Sequence, residues 1–112
     1  MTIQEEQLLE QITKNRKVLE IDPGWLAKNY CISLSKELRC TIAERLGWQG
    51  PKGWMFLKQL IKEKGIQEEL IYAAGLSYQS EAKEWLFAQL RIRPDYKLEL
   101  LKALTCLSLI HI

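Results

Sequence analysis

The sequence predicts an all-α fold, specifically an α-solenoid in which antiparallel helix pairs of about 30 residues stack on one another. Three observations lead to this prediction. Helix start and stop signals recur along the chain, period-two strand patterns are nearly absent, and two blocks of sequence repeat at a fixed offset. Since 47% of the 112 residues are hydrophobic and 27% are charged, the chain can also build a packed core.

The first part of the chain, residues 1–34, is predicted to form two helices that cap the array. Residues 4–18 are amphipathic at helical spacing. The run Asp22-Pro23-Gly24 signals a turn, and a short helix is predicted over residues 25–30. Because the connections are short, we expect neighbouring helices to be antiparallel.

Residues 35–65 are predicted to form the first complete repeat. Ser33 or Ser35 caps its first helix, which Gly47 stops. Gly50-Pro51 opens the second helix and Gly65 closes it. The apolar positions of the two helices are Leu38, Ile42 and Leu46, followed by Trp54, Leu57, Leu60 and Ile61.

Residues 66–94 are predicted to form the second repeat, and residues 95–106 the first helix of an incomplete third. A helix over residues 67–76 is followed by one that Ser80 caps and that ends before Pro94. Asp95 is predicted to cap the last helix, with its apolar face at Leu98, Leu101 and Ala103.

The internal repeat is the strongest observation. The block LGWQGPKGWMFLKQL, beginning at Leu46, aligns with LSYQSEAKEWLFAQL, which begins at Leu76, 30 residues later. The same offset pairs Gly50 with Ser80 at the predicted helix starts. It also relates Ala43, Ala73 and Ala103, small residues that let successive first helices approach closely. The alternative is a five- or six-helix bundle with chance similarity; the matching blocks favour the solenoid.

These blocks resemble a known type of repeat. The segment ELRCTIAERLG, then a turn, then WMFLKQLIKEKG, resembles the HEAT-like repeats of phycobilisome-lyase type, whose first helix ends in AxxLG. Residues 43–47 fit that ending, and residues 73–77 fit it with Ser in place of Gly. The resemblance covers residues 35–106, although the usual Gly-Asp turn is Gly47-Trp48 and Ser77-Tyr78 here. It implies an armadillo-like solenoid that serves as a binding scaffold.

The C-terminal residues 107–112 (Leu-Ser-Leu-Ile-His-Ile) form an unusual ending. The codons CTG TCT CTT ATA CAC ATC encode this string, and they resemble the transposase mosaic-end adapter used to prepare sequencing libraries. We therefore expect native sequence to stop near Cys106 and the intact protein to continue with further repeats. A natural apolar terminus is the alternative.

A search for chemistry finds no catalytic, cofactor-binding or metal-binding residues. No phosphate-binding, dinucleotide-binding, serine-hydrolase or zinc-protease motif is present. Three widely spaced cysteines predict neither a disulfide framework nor a zinc site, so we expect a cytoplasmic protein. Cys40, Cys106, Trp25, Trp54 and Trp85 are predicted to lie in the core, whereas Glu5-Glu6 and Glu68-Glu69 are predicted to face solvent. No apolar run reaches the roughly 20 residues of a membrane span.

The predicted function is a non-catalytic scaffold that binds another protein. Candidate contacts are turn residues and cationic helix ends: Trp48, Gln49, Tyr78, Gln79, Lys62, Lys64, Arg91 and Arg93. The sequence favours an alternative for each set. The Trp48 and Tyr78 rings would pack over their own helix pair, and the basic residues would form a solvated edge without a partner. Two other functions stay open: a subunit that attaches bilins to phycobiliproteins, which only the resemblance suggests, and nucleic-acid binding by the Lys/Arg edge. With 16 Lys and Arg against 14 Asp and Glu, the last is not expected.

Overall fold

A computed structural model describes residues 2–14 and 21–108, and side chains up to residue 105. Within these ranges the protein is all-helical, without strands, as predicted. A 3-10 turn, Pro94–Tyr96, precedes the last helix. The helices are α1 (Ile3–Lys14), α2 (Pro23–Asn29), α3 (Lys36–Gly47), α4 (Pro51–Lys64), α5 (Glu68–Leu76), α6 (Ser80–Ile92) and α7 (Lys97–Ser108).

Most helix ends lie where local capping chemistry predicts them. The hydroxyl of Ser35 accepts a hydrogen bond from the Leu38 amide and starts α3. Gly50, with a φ of 66°, leads into Pro51 at the start of α4, and Gly65, with a φ of 84°, ends that helix. Both glycines adopt a left-handed backbone that residues with a Cβ rarely tolerate. These predictions are confirmed.

Two predicted caps were wrong. The N-cap of α6 is Gln79, and Ser80 is already the first helical residue. Asp95 lies inside the 3-10 turn, because Pro94 holds a helical φ and the Tyr96 amide bonds the Arg93 carbonyl three residues back. The last helix therefore starts later than predicted. Residues 15–18 of the predicted first helix lie outside the described residues, as do residues 109–112 of the predicted adapter-derived tail.

Helix α5 packs between α3 and α7, and small residues allow a close approach on both sides. A Cβ added to Gly47 would lie 2.7 Å from the Ala73 carbonyl oxygen, and one added to Gly75 would lie 2.5 Å from that of Ala103. Ala73 and Ala103 are fully buried. The close contacts are therefore glycine against alanine, whereas the sequence suggested an alanine ladder.

Helices α3 and α5 run side by side in the same direction. Lys36 and Glu68, in the first turns of the two helices, form an ion pair at 3.4 Å. At the other end, a Cβ on Gly47 would touch the Cβ of Leu76 at 3.0 Å. These contacts join like ends of the two helices, which sets their relative direction.

Helices α3, α5 and α7 form a row, and α4 and α6 pack against it. Helices α4 and α6 contact each other through long side chains. The rings of Trp54 and Trp85 pack edge to face with centroids 6.1 Å apart. Lys58 of α4 forms a 2.8 Å ion pair with Glu81 of α6. Trp54 is buried as predicted, and Trp25 and Trp85 are partly buried against the core.

The spacing between these two helices differs from the sequence offset. Their N-caps, Gly50 and Gln79, are 29 positions apart (50 to 79). The buried residues Leu57 and Leu86 are also 29 positions apart (57 to 86). Equivalent structural positions of α4 and α6 are therefore 29 residues apart, one fewer than the 30-residue offset that aligns the two sequence blocks.

The apolar face of α7 also differs from the prediction. Leu100, Ala103 and Leu104 are buried, whereas Leu98 is 62% exposed and Leu101 is 43% exposed. Contact with α5 and α6 selects the buried face, and only Ala103 of the predicted set belongs to it. None of the described helices is both long and apolar enough to span a membrane.

Candidate functional site

The main candidate site is a groove of about 300 Å³ that crosses α3, α5 and α7. We call it the three-helix groove. Its walls consist largely of carbon atoms, and charged groups surround it. The lining residues are Lys36, Cys40, Glu44, Glu68, Glu69, Tyr72, Glu99 and Lys102.

The residues converge because each helix contributes one face. On α3, Lys36, Cys40 and Glu44 recur every four residues and so lie along one side of the helix. On α7, Glu99 and Lys102 are one turn apart. The intervening α5, which packs against both α3 and α7, supplies the base of the groove through Glu68, Glu69 and Tyr72.

A buried polar network lies beneath the groove. The phenol of Tyr30 donates a 2.6 Å hydrogen bond to Glu69, and Arg39 Nη1 lies 3.6 Å from the same carboxylate. Glu69 is only 7% exposed. The prediction that Glu68-Glu69 faces solvent was therefore wrong for Glu69 and correct for Glu68, which is exposed.

The network also changes the acidity of Tyr30. Burial, followed by the hydrogen bond to Glu69 and its negative charge, raises the pKa of the Tyr30 phenol well above its usual value. Tyr30 therefore stays protonated and remains a hydrogen-bond donor at any physiological pH. This arrangement fixes α5 to the segment that follows α2.

Cys40 was predicted to lie in the core, but it is partly exposed in the wall of the groove. Burial raises the pKa of its thiol, and the charges of Glu69 and Glu44 raise it further. A protonated thiol is a poor nucleophile. Cys40 is thus suited to apolar contact with a ligand rather than to covalent chemistry.

Carboxylates outnumber cations around the groove. Four glutamates and two lysines line it, a formal balance of −2. Glu68 is paired with Lys36, and Glu69 with Arg39. Within the described part of the chain, Glu44 and Glu99 form no ion pair, so their negative charges remain available to a ligand.

Of the turn residues predicted to bind a partner, Trp48 and Tyr78 are exposed, Gln49 and Gln79 are half-buried, and the two turns are adjacent. Trp48 is 42% exposed, with the Arg45 guanidinium 4.9 Å from its ring centroid. Tyr78 is 44% exposed and has a φ of 57°, which is strained for an aromatic residue. A Cβ on Gly50 would lie 3.9 Å from the Gln79 amide nitrogen, so the two turns are neighbours.

The two predicted glutamines bond within the chain. The Gln49 side-chain amide donates a 2.8 Å hydrogen bond to the Ile21 carbonyl, which joins the turn before α4 to the turn before α2. The Gln79 amide donates a 3.0 Å bond to the Ser77 carbonyl in its own turn. Both amides therefore stabilise the turns that present Trp48 and Tyr78.

The four predicted cationic residues are all exposed. Lys62 lines a depression of about 310 Å³ between α4 and α6, together with Lys58, Ile61 and Trp85. Lys64 lies near Cys31. Hydrogen bonding to Ser33 lowers the pKa of the Cys31 thiol, and the charge of Lys64 lowers it to a smaller degree. Arg91 and Arg93 are at the end of α6.

Sequence reasoning missed the groove. The spacing of Lys36, Cys40 and Glu44 was a usable signal for a shared helix face. No sequence pattern showed that this face of α3 lies next to Tyr72 of α5 and Glu99 of α7. In the described ranges, no group of three or more His, Cys, Asp or Glu side chains is placed to hold a metal ion.

Comparisons with known proteins assign no family. No protein-family model matches the chain, and no curated protein and no solved structure is significantly similar to it.

Proposed function

We propose that this chain is part of a helical-repeat array that binds another protein through the three-helix groove and catalyses no reaction. The groove itself is the observation that carries the proposal. It has largely apolar walls, spans three successive first helices, and has charged groups around it that can orient a ligand. The HEAT-like resemblance of residues 35–106 agrees with this use, because such solenoids bind partners along extended surfaces.

The solenoid arrangement is part of this proposal. Its support is the row formed by α3, α5 and α7, with Gly47 against Ala73 and Gly75 against Ala103. Each contact brings one first helix against the next. Helices α4 and α6 lie behind the row and are linked by Trp54 and Trp85. A continuous row of this kind gives a partner one uninterrupted surface.

The groups in the groove support binding rather than catalysis. Two glutamates already have cationic partners in the chain, and the Cys40 thiol is held protonated. A general base or nucleophile needs a pKa matched to its task and a reacting atom within reach. An apolar surface with Tyr72 at its base is suited to hold an extended segment of a partner by packing.

The proposal can be tested with a random peptide library displayed on phage and selected against the immobilised protein. Selected peptides are synthesised, and their affinities are compared for the wild type, Tyr72→Ala and Phe87→Ala. Tyr72 is 43% exposed in the groove and Phe87 is 49% exposed on α6, so the two changes remove similar aromatic area. We expect Tyr72→Ala to weaken binding about tenfold or more, as for a central aromatic contact, and Phe87→Ala to leave it unchanged.

Other results would contradict the proposal. Peptides that lose affinity with Trp48→Ala or Tyr78→Ala, but not with Tyr72→Ala, would move the binding surface to the turns. Salt-dependent retention on DNA would indicate the cationic edge. A visible absorbance shift on adding a bilin, abolished by Tyr72→Ala, would indicate a tetrapyrrole ligand instead of a protein.

A further inference from the structure

Resting on the proposed function, we infer that the ligand of the three-helix groove is a cationic peptide segment. Its aliphatic side chain packs on Cys40 and Tyr72, and its Lys or Arg side chains reach Glu44 and Glu99. The partner is thus identified by the chemistry of the groove as a protein with a short basic-apolar segment.

The groove has the dimensions of such a segment. Lys36 and Glu44 are eight residues apart on α3, which at 1.5 Å per residue is about 12 Å. An extended peptide rises about 3.3 Å per residue, so roughly four residues span this distance. Glu44 lies on one wall of the groove and Glu99 on the opposite wall, with Tyr72 of α5 between the two helices. One central side chain can therefore pack at the base while its neighbours extend to both walls.

The carboxylates of the groove that lack a cationic partner determine the sign of the charge that a ligand should carry. Lys36 is engaged with Glu68, and Arg39 lies beneath the groove with Glu69. Glu44 and Glu99, which have no ion-pair partner among the described residues, are partly buried, and exposed Lys102 is the remaining cation of the lining. A cation would gain two partners here, whereas an anion would face both carboxylates and gain Lys102 alone.

Partial burial makes these two carboxylates more effective than those on the open surface. Charges beside low-dielectric walls interact more strongly than fully solvated ones, and salt screens them less. The apolar walls stabilise the aliphatic part of the ligand, and the carboxylates select a ligand with positive charge. Acidic peptides and nucleic acids are disfavoured by the same charges.

Three synthetic peptides of equal length provide the test: a leucine flanked by lysines, by glutamates or by serines. Binding is measured by fluorescence anisotropy for the wild type, for Glu44→Gln/Glu99→Gln, and for the control Glu6→Gln/Glu84→Gln. The control residues are exposed on α1 and α6, so both double variants change the net charge equally. We expect the lysine peptide to bind best, with affinity lowered about five- to twentyfold by the groove variant and unchanged in the control.

The outcomes separate this inference from the function on which it rests. Suppose that library-selected peptides depend on Tyr72 but are acidic or neutral, or that the groove variant leaves the affinity of the lysine peptide unchanged. The groove would then bind peptides without charge selection, and the inference would be wrong. If no selected peptide depends on Tyr72, the proposed function fails as well. An equal loss of affinity in both double variants would show attraction by net charge alone, which also overturns the inference.

Discussion

Tyr30 and Glu69 are 39 residues apart in the sequence, yet their side chains form a 2.6 Å hydrogen bond in the protein interior. Tyr30 ends α2, and Glu69 is in the first turn of α5. The bond therefore joins the N-terminal helices to the helix at the base of the groove. Arg39, at 3.6 Å, partly neutralises the same carboxylate.

The Tyr30–Glu69 bond should stabilise the fold measurably. We expect Tyr30→Phe to lower the free energy of unfolding by about 1–3 kcal/mol, because a buried carboxylate loses its donor. Tyr78→Phe, at an exposed phenol, should change it by less than about 0.5 kcal/mol. Urea denaturation of Tyr30→Phe, Glu69→Gln and the double variant gives a coupling energy, expected to be about 0.5–3 kcal/mol. A value of zero would mean that the two side chains do not interact in solution.

The stability of the protein should fall in alkaline solution partly through Tyr30. The folded protein raises the pKa of this phenol above its ordinary value of 10.0. The stabilisation is therefore complete below pH 10 and is lost as pH rises, because only the unfolded chain readily releases the proton. In urea denaturation at pH values above 10, the free energy of unfolding of Tyr30→Phe should fall less steeply with pH than that of the wild type. Equal slopes for the two proteins would contradict the raised pKa.

The close approach of α5 and α7 predicts that Gly75→Ala destabilises the protein. Gly→Ala inside an unobstructed helix stabilises it by roughly 0.5–1 kcal/mol. Here the new Cβ would lie 2.5 Å from the Ala103 carbonyl oxygen, a backbone atom that cannot move alone. We expect a loss of about 1–3 kcal/mol in thermal or urea denaturation. Glu84→Ala, on the exposed side of α6, is the control and should stay within about 0.5 kcal/mol. A more stable Gly75→Ala variant would show that the two helices are farther apart.

The backbone of Tyr78 predicts a stabilising substitution. Its φ of 57° is left-handed, which costs an L-residue roughly 1–2 kcal/mol. Glycine removes that strain but loses more entropy on folding, so we expect Tyr78→Gly to gain up to about 1 kcal/mol. The matched change Tyr72→Gly, in the middle of α5, should instead lose about 1 kcal/mol. The comparison requires only urea denaturation of the two variants, and destabilisation of both by the same amount would contradict the assigned turn.

Local sequence determined the helices of this protein. Ser35, the Gly50-Pro51 pair and Gly65 act on backbone groups within a few residues, so their effect can be predicted without knowledge of the fold. The predicted position of the Trp54 ring in the core was also correct, because apolar spacing within one helix identifies its buried side.

Tertiary packing decided the buried face of α7, the burial of Glu69 and the groove that results. Glu69 follows another glutamate and looks like a surface residue, yet Tyr30 and Arg39 make its burial favourable. Leu98 looks like a core residue, yet contact with α5 and α6 turns the opposite face of α7 inward. Helix caps depend on neighbours in the sequence, whereas the burial of Glu69, the inward face of α7 and the three-helix groove depend on contacts between segments far apart in the chain, which no local pattern contains.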